Sequence, residues 1–565
     1  MALFEGSGIS QEQLDEIKAR YGIGGRASGP SRFPIVLIRP SHYDVEGYVL
    51  QWYRPAMASG SLAAMRGLVE DCTRRKVLGE QVQVEIRAIE EDHTRIRTHQ
   101  LARELKDGQG LVILVGVQPN EFPRAMDIAL PLRVAGVQVC MGGIHVSSGI
   151  SKQGGATAEL QEAMNLGISL FAGEAEEGRL DQVLRDAWRG ELKPLYNYVD
   201  DPPLIEGAPA PLPAAEAIRE TIAKYASFDA GRGSPFERSS CTVIDVDRRK
   251  PRQRTVDEVE RIVREHLGQG VGRFFITDDC FSGNPDWEAI FDRLIEMRER
   301  EGLKIRLAVQ VDAKCHRLPG FIEKAARAGV QRVFVGLESM DPQSLLSEKK
   351  MLQSWKRAGV IVFAGYVIGR PGETRESVLG DIRIIQKKLA VDLLEPQCLT
   401  APGPEDDPEP AATQDAAMTA EERAQLDREA WKEFYTLEHM ETVLRRAAAT
   451  GVPLESMMRL LLWFHYWIVY EKIDPMQGGY LRRRYRTNRR PTMAKVGWLR
   501  FWMGYGSELV YKHWQMARLY LRFRRFVGKL QRDGGAKAYT DVALTPDAET
   551  DPGTVETWAQ TGLAG

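Results

Sequence analysis

Three loops in the N-terminal third of the chain combine glycines with polar side chains directly after apolar runs. They are residues 118–124 (QPNEFPR), 141–149 (MGGIHVSSG) and 171–178 (FAGEAEEG). Gly142 and Gly143 lack Cβ atoms and so allow a ligand to approach the backbone closely, while Ser147 and Ser148 supply hydroxyl groups. These residue types are suited to binding a ligand with a polar, nucleotide-like tail.

The thiols form no standard metal-binding pattern. The six cysteines are Cys72, Cys140, Cys241, Cys280, Cys315 and Cys398, and no two of them form a Cys-x-x-Cys pair. Such scattered cysteines are typical of reduced thiols rather than of a disulfide framework, so we expect a cytoplasmic protein. Four of them, Cys241, Cys280, Cys315 and Cys398, fall near predicted strand ends, and a metal site built from them stays open as an alternative.

Composition limits the classes of partner. The chain of 565 residues is long enough for about three domains. Its 76 lysines and arginines nearly balance its 78 aspartates and glutamates, and this net charge of −2 argues against nucleic acid as the main partner. The longest apolar stretch, residues 460–470, is too short to span a bilayer, so no transmembrane segment is predicted.

One basic, aromatic patch stands out from this neutral background. Residues 478–491 (GGYLRRRYRTNRRP) place six arginines between Arg482 and Arg490. This pattern favours a solvated helix face or a contact with an acidic partner protein. Contact with an anionic membrane surface is the alternative.

Apolar runs alternate with helical stretches between residues 34 and 172, which predicts a parallel, doubly wound α/β sheet. From residue 227 the alternation resumes with about six strand–helix units, and this predicts a barrel whose functional residues lie at the carboxyl ends of its strands. The predicted segments are a helical extension (1–33), a Rossmann-like domain (34–191), a linker (192–224), a (β/α)6 barrel (225–402), a flexible linker (403–420), a helical C-terminal domain (421–540) and a disordered tail (541–565).

The sequence LVGVQPNEFPRAMDIALPLRVAGVQVCMGGIHVS, followed by LGISLFAGEAEEGRLDQVL, resembles the cobalamin-binding domain of cobalamin-dependent radical S-adenosylmethionine proteins. The resemblance implies that cobalamin is bound by Gln118, Pro119, Asn120, Glu121, Gly142, Gly143, His145, Ser147, Gly173 and Glu174. The Asp-x-His-x-x-Gly motif of domains that ligate cobalt through histidine is absent. We therefore expect cobalt without a histidine lower ligand, His145 as a packing residue, and residues 118–121 facing the lower side of the corrin.

The segment FDAGRGSPFERSSCTVIDV resembles the cluster-binding loop of the same family, except at its ligands. The family pattern is Cys-x-x-x-Cys-x-x-Cys, and the matching residues here are Ser234, Arg238 and Cys241. Three thiolates hold three irons of a four-iron cluster, whereas an arginine is permanently cationic and cannot ligate iron. We therefore expect no 4Fe-4S cluster, and we predict Arg238 as a catalytic residue that holds an anion or an acidic substrate.

The segments RFFITDDCFSGNPDWEAIFDRLI, IRLAVQVDAKCHRLPGFIEKAARAGVQRVFVGLESM and AGYVIGRPGET resemble the barrel of this family. The resemblance implies that polar residues at strand ends hold substrate or S-adenosylmethionine, namely Asp278, Gln310, Asp312, Ser339 and Arg370. Asp279 and Glu338 are predicted as further catalytic residues. The alternative is that Asp278 and Asp312 only cap the helices that follow them.

The sequence thus predicts an enzyme that uses cobalamin, with S-adenosylmethionine as a second candidate cofactor, for methyl transfer or rearrangement of a small molecule. Two other hypotheses stay open. One is a catalytically silent, cobalamin-binding scaffold that acts on a protein partner, and the other is a radical enzyme with a non-standard cluster site.

Overall fold

The structure is a computed structural model that describes residues 31–105, 110–151, 155–211, 215–233, 251–337, 340–370, 372–398, 419–533 and 536–546. Residues 1–30 of the predicted helical extension, the cluster-motif positions Ser234, Arg238 and Cys241, and Glu338 with Ser339 lie outside these ranges. The chain divides into two compact units. The first comprises residues 1–254, 264–271 and 479–503, and the second comprises residues 255–263, 272–478 and 504–565.

The first unit is built on a parallel sheet with the strand order β3-β1-β4-β5-β6-β7. Its strands are β1 (Ser31–Arg39), β3 (Val82–Glu90), β4 (Leu111–Leu114), β5 (Gln138–Gly142), β6 (Ser169–Ala172) and β7 (Leu195–Asn197), while β2 (Gln51–Pro55) lies outside this sheet. The helices are α1 (Gly60–Arg74), α2 (Thr98–Leu105), α3 (Phe122–Val134), α4 (Ile144–Ser151), α5 (Ala158–Asn165) and α6 (Arg179–Arg189).

Both faces of this sheet are buried. Alternate residues of β1 belong to two separate apolar clusters, with Val36 and Ile38 in one and Ile35 and Leu37 in the other. A sheet covered on both faces has continuous apolar strands, which explains why runs such as LVIL in β4 show no period of two. The predicted α/β class with parallel strands is confirmed.

Strand β7 corrects the predicted interdomain linker at residues 192–224. Residues 195–197 pair in parallel with Leu170–Ala172 of β6 and so extend the first sheet. Tyr196 is buried and its hydroxyl donates to Asp186 at 2.9 Å, which holds this short strand on helix α6. Beyond it lie α7 (Ala215–Glu220), β8 (Ala226–Phe228), β9 (Gly231–Arg232) and β10 (Arg252–Gln253), of which β9 and β10 pair antiparallel.

The second unit contains five parallel strands that pair in chain order, β11-β12-β13-β14-β15. They are β11 (Arg273–Ile276), β12 (Arg306–Val311), β13 (Val330–Leu337), β14 (Ile361–Ile368) and β15 (Leu393–Cys398). The helices from residue 256 to residue 388 are α8 (Val256–Gly268), α9 (Trp287–Glu299), α10 (Phe321–Ala328), α11 (Pro342–Arg357) and α12 (Arg375–Lys388).

The last part of the chain is mostly helical. Its helices are α13 (Ala420–Phe434), α14 (Leu437–Thr450), α15 (Leu454–Tyr466) and α16 (Trp498–Arg532). The expectation of an all-helical segment at residues 421–540 is wrong at β16 (Gly479–Arg483), which pairs antiparallel with β2 within the first unit. Among the described residues, no helix combines the length and the apolar composition needed to cross a membrane.

Strand β16 also explains the basic patch. Arg482 and Arg484 are buried and both pair with the carboxylate of Asp44, Arg482 at 2.5 Å and Arg484 at 3.4 Å. Arg482 also lies over the ring of Trp52, and Arg484 over that of Tyr48. The favoured prediction of a solvated helix face is therefore wrong for Arg482, which lies in a strand. The alternative of a membrane-surface contact finds no support at Arg482 and Arg484, because their charges are compensated inside the first unit.

Candidate functional site

The order of the strands fixes where a ligand fits on the first sheet. The connection from β1 leads to β3 on one side, whereas β4 pairs with the other side of β1, so the sheet reverses its direction of winding between β1 and β4. Open α/β sheets bind ligands at such a switch point, beyond the carboxyl ends of the strands. The predicted residues 118–121 follow β4 at this position.

Glu121 is the fixed point of this loop. Its carboxylate accepts a hydrogen bond from the backbone N–H of Gln118 at 2.9 Å and pairs with Arg39 at the end of β1. Burial raises the pKa of Glu121, although Arg39 opposes this shift. Gln118, Pro119 and Asn120 are exposed and form the rim of the crevice.

The two predicted glycines do more than give access to a ligand. Gly143 has a φ of +150°, and a Cβ atom there would lie 2.1 Å from the backbone nitrogen of Val117. A Cβ atom on Gly142 would lie 3.2 Å from the carbonyl oxygen of Phe171. Gly143 is therefore required for the loop after β5 to pack on the loop after β4.

His145 and Ser147 connect the three loops. The backbone N–H of His145 donates to the carbonyl of Val117 at 3.1 Å, and its ring lies 4.4 Å from that of Phe122. Burial lowers the pKa of His145, although the carboxylate of Glu159 lies 3.1 Å from its Nε2 atom. The hydroxyl of Ser147 accepts from the N–H of Gly173 at 3.0 Å.

One buried hydroxyl of this region has no hydrogen-bond partner among the described residues. It belongs to Thr157, which precedes α5. A Cβ atom on Gly149 would lie 3.6 Å from this hydroxyl, so Thr157 adjoins α4, the helix that carries Ser147. An unsatisfied buried hydroxyl is costly and is typical of a position where a polar ligand group binds.

An acidic group at the end of β3 was missed by the sequence analysis. The pKa of Glu90 is raised to about 8 by burial and by Asp92, and burial likewise raises the pKa of Asp92 to about 6. Between them, Glu91 accepts two hydrogen bonds from Arg124, the shorter at 2.6 Å from Nη2. The run EED directly after an apolar strand was the signal in the sequence.

Glu174 of the third loop is held by two arginines. Arg232 of β9 and Arg252 of β10 each donate to its carboxylate at 2.6 Å. Burial opposes ionisation of Glu174, but the hydrogen bonds and charges of Arg252 and Arg232 outweigh it and lower the pKa. Glu174 therefore links the paired strands β9 and β10 to the third loop.

The sheet of the second unit has one buried face and one partly exposed face. Val333, Val335 and Leu337 of β13 are buried, whereas Phe334 and Gly336 between them are only partly buried. The strand register places Gly336 beside Gly365, and Gly365 beside Glu395. A Cβ atom on Gly336 would contact nothing within 4 Å, whereas one on Gly365 would lie 2.9 Å from the ring of Phe334. This face therefore has open space at Gly336, and the Phe334 ring covers Gly365.

Aromatic and amide side chains form the next row on the same face. Gln310 pairs with Phe334, and Phe334 pairs with Phe363, whose ring lies 5.1 Å away and nearly perpendicular. This face therefore offers apolar contacts, one amide and the Glu395 carboxylate. Such a combination is typical of a small-molecule site.

Glu395 is a titratable group near neutrality. Burial is the main cause that raises its pKa to about 7, and the carboxylates of Asp474 and Asp427 add to the shift. Burial and Asp474 also raise the pKa of Asp427 to about 6. A carboxylate with such a pKa is suited to accept a proton at neutral pH. Its signal in the sequence was a glutamate that interrupts the apolar residues of the segment DLLEPQ.

The predicted barrel residues occupy different environments. Asp278 is buried and Asp279 is exposed at the end of β11. Asp312 accepts from the hydroxyl of Ser282 at 2.7 Å and from the N–H of Lys314 at 2.5 Å. Asp312 thus stabilises the loops after β11 and β12, and it does not cap α10, whose N-cap residue is Gly320.

Arg370 lies in a loop that an internal carboxylate organises. Its guanidinium lies 5.4 Å from the centre of the Tyr366 ring and 3.8 Å from the carboxylate of Glu373. Glu373 in turn accepts from the backbone N–H groups of Gly369 and Arg370, at 2.8 Å and 3.0 Å.

The alternative metal site built from thiols finds no support within the described ranges. There, no three His, Cys, Asp or Glu side chains are grouped so as to hold a metal ion. Burial raises the pKa values of Cys280, Cys315 and Cys398, which disfavours their thiolate forms. Cys241 lies outside these ranges.

Comparison with known proteins assigns part of the chain. Residues 236–384 match the family model of the Radical SAM superfamily. A hopanoid C-2 methylase of Rhodopseudomonas palustris is 22% identical over 219 residues, which cover 36% of this chain and 41% of the relative. A bacteriochlorophyllide d C-12(1)-methyltransferase of Chlorobaculum tepidum is 27% identical over 225 residues, covering 39% and 45%. The chain thus spans less than half the length of these curated relatives.

Among solved structures, the chain is similar to the radical S-adenosylmethionine methyltransferase TsrM from Kitasatospora setae with cobalamin and a 4Fe-4S cluster bound. The TM-score is 0.48 and the sequence identity is 16%, and the match covers 65% of this chain and 72% of that one.

Proposed function

We propose that this protein is a cobalamin-dependent methyltransferase of radical SAM architecture that works without a 4Fe-4S cluster. The first unit holds cobalamin, and the second unit positions a small-molecule substrate on the partly exposed face of its sheet. The match to the Radical SAM superfamily and the two methyl-transferring relatives support the class of reaction. The single observation that carries the catalytic part is Glu395, a carboxylate with a pKa of about 7 in the same row of the strand register as Gly365 and Gly336.

The first unit fits cobalamin in two respects. Its switch-point rim of Gln118, Pro119 and Asn120 is exposed, and the buried hydroxyl of Thr157 lacks a partner among the described residues. His145 is packed on Phe122 with a lowered pKa, which supports cobalt without a histidine lower ligand. Bound cobalamin would supply a transferable methyl group. In this proposal the rim orients the corrin and Thr157 binds its polar tail.

The absence of a cluster is proposed from the sequence. The Cys-x-x-x-Cys-x-x-Cys pattern occurs nowhere in the 565 residues, and Ser234 and Arg238 stand at the first two of its positions. Chemistry without a cluster favours polar methyl transfer, in which a nucleophilic substrate atom would bond to the methyl carbon and lose a proton. Bound cobalamin would keep the electron pair of the bond that held the methyl group, so no external oxidant or reductant is needed for this step. Glu395 accepts that proton, while Phe334, Phe363 and Gln310 position the substrate. S-adenosylmethionine stays a candidate second cofactor.

Binding of cobalamin can be measured directly. Purified full-length protein is titrated with hydroxocobalamin, and the bound fraction is read from the absorbance after gel filtration. We expect about one equivalent per chain. The Glu121→Ala variant should bind at least about tenfold more weakly, because the rim loop loses its hydrogen bond from Gln118 and its pairing with Arg39. Glu191→Ala, an exposed glutamate, is the control. No binding by the wild type would refute the proposal.

A further inference from the structure

Residues 507–532 of α16 carry a strong local positive charge. Between residues 507 and 532 the helix has seven lysines and arginines and one acidic residue, in a chain whose net charge is −2. The acidic residue, Glu508, pairs with Lys512. The remaining basic side chains therefore give this helix a net positive charge that the rest of the protein does not share.

One face of this helix segment packs on the second unit. Leu519, Phe523 and Val527 are buried on it. Lys512 donates to the carboxylate of Glu471 at 2.8 Å, and Arg522 to that of Glu441 at 2.9 Å. These contacts fix the rotation of the helix about its axis.

The opposite face is apolar and exposed. Val510, Trp514 and Leu521 are 72%, 57% and 51% exposed. Their spacing of four and seven residues places them on one side of a helix, which we call the α16 apolar face. Soluble proteins seldom expose a contiguous row of large apolar side chains unless it binds something.

Basic residues border the α16 apolar face. Arg518, Arg524 and Arg525 are exposed, and the guanidinium of Arg518 lies 5.5 Å from the centre of the Trp514 ring. Tyr511 and Tyr520 are exposed as well. Tryptophan, tyrosine and aliphatic side chains next to arginines are typical of helices that lie in the interface of an anionic membrane.

We propose that the α16 apolar face binds the surface of a membrane that contains anionic lipids. Charge complementarity favours this occupant over a second copy of the chain. Two copies meeting through this face would bring Arg518, Arg524 and Arg525 close to the same arginines, and the acidic residue of the segment is already paired with Lys512. A lipid surface supplies negative headgroups for the arginines and an apolar layer for Trp514 and its neighbours.

Vesicle co-flotation tests this inference with the full-length protein. Vesicles of phosphatidylcholine alone are compared with vesicles that contain about 30% phosphatidylglycerol, at low and high salt. We expect binding to the anionic vesicles that weakens as salt rises, because the Debye length shortens. Equal binding to both vesicle types, or to neither, would overturn the inference.

Two triple variants separate the contribution of the arginines to vesicle binding from that of the apolar side chains. Arg518→Glu/Arg524→Glu/Arg525→Glu should lower partitioning by about a hundredfold or more, and Val510→Ser/Trp514→Ser/Leu521→Ser by at least about tenfold. Val134→Ser, an exposed apolar residue of the first unit, is the matched control. Circular dichroism establishes that each variant is folded, and only folded variants are compared. Unchanged partitioning of either triple variant would overturn the inference.

Sedimentation equilibrium tests the other occupants. A wild-type dimer that the apolar triple variant abolishes, without vesicle binding, would identify an interface between copies and overturn the inference. Capture of an acidic polypeptide such as polyglutamate, without vesicle binding, would overturn it in favour of a protein partner. Neither experiment depends on cobalamin, so failure of this inference leaves the proposed function unaffected.

Discussion

The two sheets of this protein treat their charged groups differently. At the ends of the first sheet, Glu91 is paired with Arg124, and Glu174 with Arg232 and Arg252, although the pKa values of Glu90 and Asp92 at the end of β3 are raised. On the second sheet, Glu395 lies near two other carboxylates and its pKa rises to about 7. Paired charges fix a backbone, whereas a carboxylate that titrates near neutrality can exchange a proton. We therefore assign a structural role to Glu91 and Glu174, and the proposed function assigns proton transfer to Glu395.

The largest expected effect is on catalysis. Glu395→Gln should lower the methyl-transfer rate by about a hundredfold or more, because an amide cannot accept the proton. In the wild type the rate should rise as pH increases through about 7, where Glu395 loses its proton. The rate of product formation is measured by mass spectrometry with a substrate found by metabolite screening. Glu376→Gln, an exposed glutamate, is the control. A folded Glu395→Gln variant with wild-type activity would contradict the role of Glu395.

For the structural role of Glu174, we expect Glu174→Ala to lower the free energy of unfolding of the first unit by about 3 to 5 kcal/mol. The substitution leaves the buried charge of Arg252 without this partner. Urea denaturation measures the change. Glu191→Ala, on an exposed position, should change it by less than about 0.5 kcal/mol. If both substitutions changed the free energy of unfolding equally, Glu174 would not stabilise the first unit through its arginine partners.

Gly143→Ala should cost about 2 to 3 kcal/mol of stability and weaken cobalamin binding, because its Cβ would meet the backbone of Val117 at 2.1 Å. Gly155→Ala is the matched control, since a Cβ atom there contacts nothing within 4 Å. Thermal unfolding and the cobalamin titration are the two measurements. A stable Gly143→Ala variant that binds cobalamin normally would show that the two loops separate without loss.

The smallest expected effect concerns pH. Burial and Asp92 raise the pKa of Glu90 from its ordinary 4.5 to about 8, so the folded protein binds a proton there that the unfolded chain releases. The contribution of this group to stability is therefore fully present below pH 4.5 and is lost as pH rises to about 8. In the Glu90→Gln variant, the fall in the free energy of unfolding between pH 5 and pH 8 should be smaller by about 1 to 2 kcal/mol, because glutamine does not titrate. Urea denaturation from pH 5 to pH 8 measures this change. If the free energy of unfolding falls equally with pH in the wild type and in Glu90→Gln, the raised pKa of Glu90 is contradicted.

Local patterns predicted much of the fold. The alternation of apolar runs with helical stretches predicted the α/β class with parallel strands, since apolar periodicity reports burial directly. Strand β7 was missed because it has only three residues and follows Pro194 directly, and its pairing with β6 depends on contacts that no local pattern shows.

The site residues divide in the same way. The loop at Glu121 could be predicted from a few neighbouring residues, and so could the glycines after β5. The row of Gly336, Gly365 and Glu395 exists only once the register of three strands is set, and those residues are far apart in sequence. Arg482 was misread for the same reason, because its partner Asp44 lies near the other end of the chain.

The central claim is cobalamin without a cluster, and the metal content of the protein tests it most directly. The full-length protein is incubated anaerobically with cobalamin, iron and sulfide, desalted, and analysed for cobalt, iron and sulfide. We expect about one cobalt per chain and far less than one iron per chain. About four irons and four sulfides per chain, with or without cobalt, would contradict it and would mean that a cluster forms despite Ser234 and Arg238.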